Sequence, residues 1–372
     1  MGSPCAGRSA GGRPASCDRP RSPRSPAPSV VAASVGCVQV RSDAPLAPLT
    51  TLGVGGPAAR LVEVTDAAEL VAAVRDADDA GRPLLLLGGG SNVVAPDEGW
   101  PGDVVLVRSR GIARDGAALE VQAGEPWEDL VAYTVAEGLA GMEALAGIPG
   151  STGATPVQNV GAYGQEVAQT ITAVRVWDRA EQRERTLTNA ECAFAYRDSR
   201  LKREPGRFVV LTVGFALEES EVSRPVGYAE LARALGVELG HTAPLAAVRD
   251  AVLGLRRGKG MVWDPADPDT RSAGSFFTNP IVPADRAVEG CPSWPAEDGR
   301  VKLSAAWLVQ SAGFGRGTRR GRVGTSPRHS LALTTEPGAT AAELLAFAAD
   351  VVATVEERFG VRLEQEPTAV RP

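Results

Sequence analysis

The alternation of apolar and polar positions divides the chain into a polar start, a middle of short strands broken by glycine-rich stretches, and a helical end. Residues 59–64 alternate like a strand, and Asp66 followed by Glu69 forms a capping-box pattern opening a helix that runs to Gly81. Leu84 to Leu87 is a short continuous apolar run, which reads as a buried strand. Residues 104–107 and 119–122 add two more strands, and 126–137 is helical, with proline in its first turn and Gly138 as its stop. Residues 171–177 and 183–187 read as a hairpin, 192–196 as a short helix and 208–217 as a strand. Beyond the acidic run 218–221 the pattern changes: 244–255 is helical, Arg256, Arg257 and Lys259 form a basic turn, and 272–280 is a loop of small residues. Thr340 with Glu343 caps a helix over 341–359, whose Leu344, Phe347, Val351, Val355 and Phe359 form one apolar stripe ended by Gly360. Core packing accounts for that stripe fully.

Strands outnumber helices before residue 220, which predicts an α+β fold in two lobes rather than a doubly wound sheet. The expected organisation is a disordered extension over 1–45, a domain over 46–220 with subdomains 46–108 and 109–220, and a last domain over 221–372.

Residues 146–165 read A-G-I-P-G-S-T-G-A-T-P-V-Q-N-V-G-A-Y-G-Q, and neither the helical nor the strand period survives there. A chain keeps that many glycines where the backbone turns sharply or approaches something closely. A run of tight turns beneath a core would be equally rich in them. A second stretch, L-L-L-L-G-G-G-S-N, ends a strand in Gly88, Gly89 and Gly90, with the Ser91 hydroxyl and the Asn92 amide alongside. Exposed amides in such a turn cradle a phosphate well. Two such loops in one domain point to a large phosphorylated ligand lying between them. Gly53-Val54-Gly55-Gly56 is not a dinucleotide-binding turn, because no strand precedes it and Pro57 stands where the helix should begin.

At 372 residues the chain suits two or three domains. A net charge of −6 argues against a nucleic-acid partner, and no apolar run is long enough to span a bilayer. Arg316, Arg319, Arg320 and Arg322 form a local basic cluster, read as a solvated loop that a diphosphate would also satisfy. The 5 cysteines show no C-x-x-C spacing, and His241 and His329 are the only histidines, so neither a metal site nor a histidine-centred triad is expected. Residues 29–37 faintly resemble a signal segment ending in cysteine, but the apolar core is short and diluted.

Taken together, several stretches resemble the UDP-N-acetylenolpyruvoylglucosamine reductase family. They are L-G-V-G-G-P-A at Gly53, G-G-G-S-N at Gly88, the long loop from Gly147, A-Y-R-D-S at Tyr196, A-G-S-F-F-T-N-P at Gly274, K-L-S-A-A-W-L at Lys302 and F-G-V-R-L-E-Q-E at Phe359, in the family's order. The resemblance implies an FAD-binding fold of the vanillyl-alcohol-oxidase (PCMH) type in two subdomains, followed by an α+β substrate domain. FAD, bound without a covalent bond, would lie on Gly88, Gly89, Gly90, Ser91 and Asn92 and along Gly147, Ile148, Pro149, Gly150, Ser151, Gly153, Ala154, Gln158, Asn159, Gly161, Ala162 and Tyr163. NADPH would reduce the flavin, whose N5 would pass a hydride to UDP-N-acetylglucosamine enolpyruvate while a serine donates the proton.

The serine matching that role is Ser275; Arg197 and Glu366 match the residues that hold and polarise the substrate carboxylate, Glu366 being favoured over Glu364. Tyr196, Tyr228, Arg256, Lys259 and Asn279 match substrate-binding positions. Two departures stand out: Pro367, where many members carry a β-branched residue, and G-M-V-W-D-P after Lys259. The resemblance further implies a small nucleotide-sugar partner, a cytoplasmic location, a monomer, and no membrane or metal. The alternatives are another flavin oxidoreductase of the same fold and a binding homologue without activity.

Overall fold

Three apolar strands, Pro57–Val64, Trp100–Val107 and Leu84–Leu87, lie parallel and form most of the first sheet, with Gln39–Pro45 added antiparallel beside Pro57–Val64. The structure is a computed structural model describing Met1 and residues 39–372. Residues 39–45 therefore correct the expected extension through 45. This edge strand is fixed by its backbone ladder, and of its side chains only Ala44 is buried, so no apolar alternation marks it. Residues 2–38, with the 29–37 segment, lie outside the described residues.

Helix Ala67–Asp79 starts as its sequence predicts, the Asp66 carboxylate accepting the Glu69 N–H at 2.8 Å. Its Leu70 and Val74 join Val62, Val64, Val105 and Val107 of the sheet in a core shared with Trp177, Val209 and Leu211 of the next unit. That unit is a five-stranded antiparallel sheet, ordered Arg183–Thr188, Ile171–Asp178, Phe208–Ala216, Ala118–Gln122, Ile112–Asp115. Helices Trp127–Ala136, Ala229–Leu235 and Leu245–Gly258 supply Trp127, Leu130, Leu231, Val248 and Val252 to its core. By packing, residues through about 258 thus belong with the central sheet, and the expected change at 221 falls inside one core. A separate core follows, built on Ala305–Ser311, Ala341–Phe359 and two small three-stranded sheets. Burying Leu344, Phe347, Val351 and Val355 from one helix stabilises it by about 1.5–3 kcal/mol per side chain. Leu52, Val54 and Val94 of the first lobe reach into this core.

Two further details differ from the sequence reading. The helix expected over 192–196 is Asn189–Cys192; Ala193 turns left-handed at φ 44° and ends it. Arg256 and Arg257 are in the last turn of Leu245–Gly258, not in a loop after it. No helix among the described residues is long and apolar enough to cross a membrane.

Candidate active site

Strand Leu84–Leu87 sends Leu85 and Leu87 into the first-lobe core and so aims the following Gly88–Asn92 turn at the long glycine loop. That loop is pinned between the end of a strand and the start of a helix. Gly153 N–H donates to the Ala123 carbonyl and Thr152 N–H to that of Glu125, both at 2.8 Å, while Gly150 accepts the Trp127 N–H at 3.1 Å. The two loops then touch. Ser91 Oγ donates to the Pro149 carbonyl at 2.9 Å, and Arg108 Nη1 supports the Gly88 carbonyl at 3.0 Å. A Cβ on Gly89 would stand 2.6 Å from Gly150 Cα, and one on Gly88 would stand 2.2 Å from Ser151 Oγ. Glycine is required here by close approach.

Between the loops lies a cleft of about 340 Å³. Gly88, Gly89, Gly90, Ser91 and Asn92 line it, as do Ile148, Pro149, Gly150, Ser151, Ala154, Gln158 and Gly161. Among the described residues, no acceptor takes the N–H groups of Gly88 to Asn92. Such a row of free amides suits an anion. Arg256 lines the same cleft with its Nη2 on the Met261 carbonyl at 3.0 Å, while its buried Nε has no partner and burial pulls its pKa below the ordinary arginine value. Arg197, Ser275 and Glu366 line it as well.

Arg197 Nε meets Glu366 Oε1 at 3.0 Å, and Arg197 Nη2 donates to the Gly161 carbonyl at 2.6 Å. Gln158 Nε2 approaches the same Glu366 oxygen at 3.5 Å and is itself oriented by Asn92 Nδ2, 2.6 Å from its Oε1. Burial raises the Glu366 pKa, and Arg197 and Lys202 oppose the rise. Glu364 is exposed and contributes only its carbonyl, to Thr278 N–H at 3.0 Å. Ser275 is held opposite Ala332, and the buried Phe276 behind it accepts the Glu366 N–H at 2.9 Å. The strand pairing thus brings the serine and glutamate segments together. Pro367 is buried without costing a bond that matters here, since Thr368 N–H reaches the Asn92 carbonyl at 2.9 Å.

Arg197, Asn159 and Tyr163 are three of the seven non-glycine residues with positive φ among the described residues, at 53°, 46° and 49°. Backbone strain of about 1–3 kcal/mol per residue is therefore concentrated beside this cleft. Asn159 is buried and holds the Glu166 carboxylate and the Ala195 carbonyl, fixing the approach to Tyr196 and Arg197.

Not every expected residue reaches the cleft. The Gly147 N–H is taken by Glu128, whose other oxygen pairs with Arg249. Gly153 packs on Ala123, and Ala162 packs against the central core. Tyr163 lines a neighbouring cavity of about 300 Å³ with Gly164, Glu143 and Arg224. Its ring meets that of Tyr228 edge-on at 5.4 Å, Lys259 Nζ lies 5.6 Å from it, and burial pushes its phenol up to about 12. Lys259 is paired with Glu230 at 2.6 Å. Tyr228 is 44% exposed rather than an ordinary core tyrosine. Tyr196 lies against Arg197, and Asn279 Oδ1 caps the Ala305 N–H at 2.9 Å. Of the basic cluster, Arg319 pairs with Glu336, Arg320 with Asp350, and Arg322 donates to the Gly338 carbonyl, so these three are structural. The sequence reading overlooked Glu128, Arg108 and Lys202. Nothing in their local pattern separates them from surface charges.

Residues 58–186 match a family described as an FAD binding domain, and residues 265–370 match the UDP-N-acetylenolpyruvoylglucosamine reductase, C-terminal domain. The UDP-N-acetylenolpyruvoylglucosamine reductase of Streptomyces coelicolor is 54% identical over 367 residues, covering 95% of this chain and 96% of that one. The chain belongs to this reductase family. The Thermobifida fusca member is likewise 54% identical, over 344 residues and 88% of this chain and 96% of that one. A crystal structure of the family's enzyme from Thermus caldophilus superposes with a TM-score of 0.62 at 26% identity, covering 90% of this chain and 99% of that one. The α+β architecture is accordingly an FAD-binding domain followed by the reductase family's own C-terminal domain, and the protein is a flavin-dependent oxidoreductase.

Proposed function

We propose that the chain reduces UDP-N-acetylglucosamine enolpyruvate to UDP-N-acetylmuramate for peptidoglycan, with NADPH as reductant and FAD held without a covalent bond. It would act as a cytoplasmic monomer. The observation that carries this reading is the meeting of the Arg197–Glu366 pair and Ser275 in one cleft with two touching glycine loops.

The free amides of Gly88 to Asn92 and the unpartnered Nε of Arg256 fit the diphosphate of FAD. This moves Arg256 from the substrate, where the resemblance put it, to the cofactor. Bound FAD supplies a hydride acceptor and donor. The chain's residues do the rest. Arg197 offers the substrate carboxylate a planar, permanently charged fork, oriented by the carbonyls of Gly161 and Asn159 and by Glu366. Glu366, with its pKa raised by burial, can share a proton with the charge that builds on the carboxylate as the hydride arrives. Ser275 delivers the proton to the carbon next to the one that receives the hydride. Tyr228 and Lys259 pack on Tyr163, which lines the neighbouring cavity, so an anionic diphosphate on the substrate would be met there by an exposed ring and a cation.

The test is an anaerobic visible spectrum of the purified holoenzyme. NADPH should bleach the flavin, and UDP-N-acetylglucosamine enolpyruvate should restore it. Ser275→Ala should bleach as the wild type does and recover at least about 10²-fold more slowly. Equal loss of both half-reactions would remove Ser275 from the acid's role, and bleaching without recovery in the wild type would overturn the substrate.

A further inference from the structure

Three cations line the cleft, Arg197, Lys202 and Arg256, against one anion, Glu366. Two of the three already have tasks. Arg197 pairs with Glu366 at 3.0 Å, and Arg256, with its unpartnered Nε, fits the diphosphate of FAD. Lys202 is left. Among the described residues it meets no carboxylate at ion-pairing distance, and its ammonium donates to the Arg197 carbonyl alone, at 2.8 Å.

Its neighbours show that the missing partner is particular to this side chain. Helix Arg200–Arg203 also carries two arginines, and both are matched: Arg200 Nε meets Glu204 at 2.6 Å, and Arg203 pairs with Asp198. The helix itself is fixed to the cleft wall. Ser199, fully buried, accepts the Lys202 N–H at 3.3 Å and donates to the carbonyl of Val157, another lining residue, at 2.6 Å. The exposed ammonium is thus carried to the rim of the cleft on a rigid base, beside Arg197, and its one bond leaves other N–H groups uncommitted.

Charge decides what such an arrangement is for. A carboxylate that docks on Arg197 also meets Glu366, and while that glutamate is ionised the pair brings no net charge. The attraction must then come from a cation that lines the cleft close to Arg197 and has no carboxylate of its own. We infer that Lys202 is that cation: it faces the enolpyruvyl carboxylate from the rim and makes the cleft selective for a ligand carrying that group. Lysine suits the task as a compact charge on a flexible stem, acting without the bidentate geometry that Arg197 supplies. Because the ammonium is exposed, its effect is modest and is screened by salt. The inference rests on the proposed function and names a further determinant of its specificity.

The experiment titrates oxidised holoenzyme with UDP-N-acetylglucosamine enolpyruvate, and separately with UDP-N-acetylglucosamine, which lacks the carboxylate, following the flavin absorbance at low and at high salt. At low salt Lys202→Met and Lys202→Gln should both weaken the first ligand about fivefold, the upper size of an exposed ion pair, and leave the second within about twofold. Lys202→Arg should regain most of the loss, and the gap to the wild type should narrow at high salt. Flavin content and thermal midpoint serve as folding controls, and if Lys202→Met loses flavin, Lys202→Gln against Lys202→Arg makes the same comparison. Wild-type binding by Lys202→Gln would mean that the lysine serves only the Arg197 carbonyl, and would overturn the inference. So would equal weakening of both ligands, or a loss that salt does not reduce. A wild type whose bleached flavin is not reoxidised by the enolpyruvyl compound would overturn the proposed function and this inference with it. Normal wild-type turnover with unchanged binding in Lys202→Met would overturn the inference alone.

Discussion

Gly89→Ala tests whether contact between the two glycine loops is what shapes the cofactor cleft. An alanine Cβ there would stand 2.6 Å from Gly150 Cα and 3.0 Å from the Gly150 carbonyl carbon. Ordinary Cβ contacts begin at 3.4 Å, so the loops must part by about 0.8 Å, the difference of 3.4 and 2.6. Both opposing atoms are main chain, so no side chain can swing away. Overpacking of this kind costs about 1–3 kcal/mol, or roughly 5- to 150-fold in an equilibrium constant. If the loops part, the amide row moves off the diphosphate and FAD affinity falls by that factor. If they stay together, the strain lowers the stability of the apoprotein instead, by about 2–4 °C per kcal/mol. Gly88→Ala should be milder, because its Cβ meets the Ser151 hydroxyl oxygen at 2.2 Å and that hydroxyl can rotate. Gly227→Ala should be silent, since nothing lies within 4 Å of its Cβ. The assay is an FAD titration of apoprotein, paired with thermal unfolding of the apo form. A Gly89→Ala protein with wild-type FAD affinity and a wild-type apo midpoint would refute the reasoning, and so would a Gly227→Ala protein as damaged as Gly89→Ala.

Two further outcomes follow from burial of titratable groups. Glu366→Gln keeps the side chain's size but removes its proton equilibrium, and flavin reoxidation by substrate should fall about 10²-fold or more while NADPH bleaching persists. Its stability signature is also signed: burial raises the folded-state pKa above the ordinary 4.5, so the wild-type contribution is full below 4.5 and fades as pH rises through the raised value. Thermal midpoints of the two proteins should accordingly shift in the glutamine variant's favour as pH climbs above 4.5, and a constant difference would contradict this. His329 behaves oppositely, because burial and then Lys259 and Arg316 pull its pKa from 6.5 down to about 4. Folding favours the neutral ring, so its contribution is present above pH 6.5 and is lost as pH falls from 6.5 towards 4. His329→Asn should therefore lose less stability than the wild type between pH 7 and pH 5; parallel melting curves at the two pH values would rule that out.

Much of the fold could be read from local pattern, for reasons visible in the elements themselves. The Asp66 carboxylate caps Ala67–Asp79 by taking the Glu69 N–H, although the Glu69 side chain reaches Thr65 rather than Asp66, and Thr340 and Glu343 form the full box at Ala341–Phe359, as a single sequence can show. Gln39–Pro45 escaped because an edge strand fixed by main-chain pairing needs no apolar alternation. The packing of Leu245–Gly258 against the central sheet escaped too, since an amphipathic stripe shows that a helix is buried but not which core receives it. At the site, the glycines at 88, 89 and 150 announced a close approach, and the structure supplies its object: each loop is the other's nearest neighbour. What the glycines could not announce is which amides remain free. Gly147 N–H looked equivalent to those of Gly88 to Asn92, yet Glu128 takes it.

The same limit explains Arg197. By composition it is one more surface arginine, and its position in A-Y-R-D-S conveys nothing about φ. In the structure it is left-handed at 53°, a conformation that costs an arginine about 1–3 kcal/mol. It sits in a tight turn closed by Ala195 and Asp198, whose N–H groups each donate to the other's carbonyl, and its guanidinium is held by Gly161, Asn159 and Glu366. The partners of the guanidinium lie elsewhere in the fold, Glu366 coming from the other end of the chain. What the structure adds to the turn is direction: the guanidinium is held at the cleft that Ser275 and Glu366 also line.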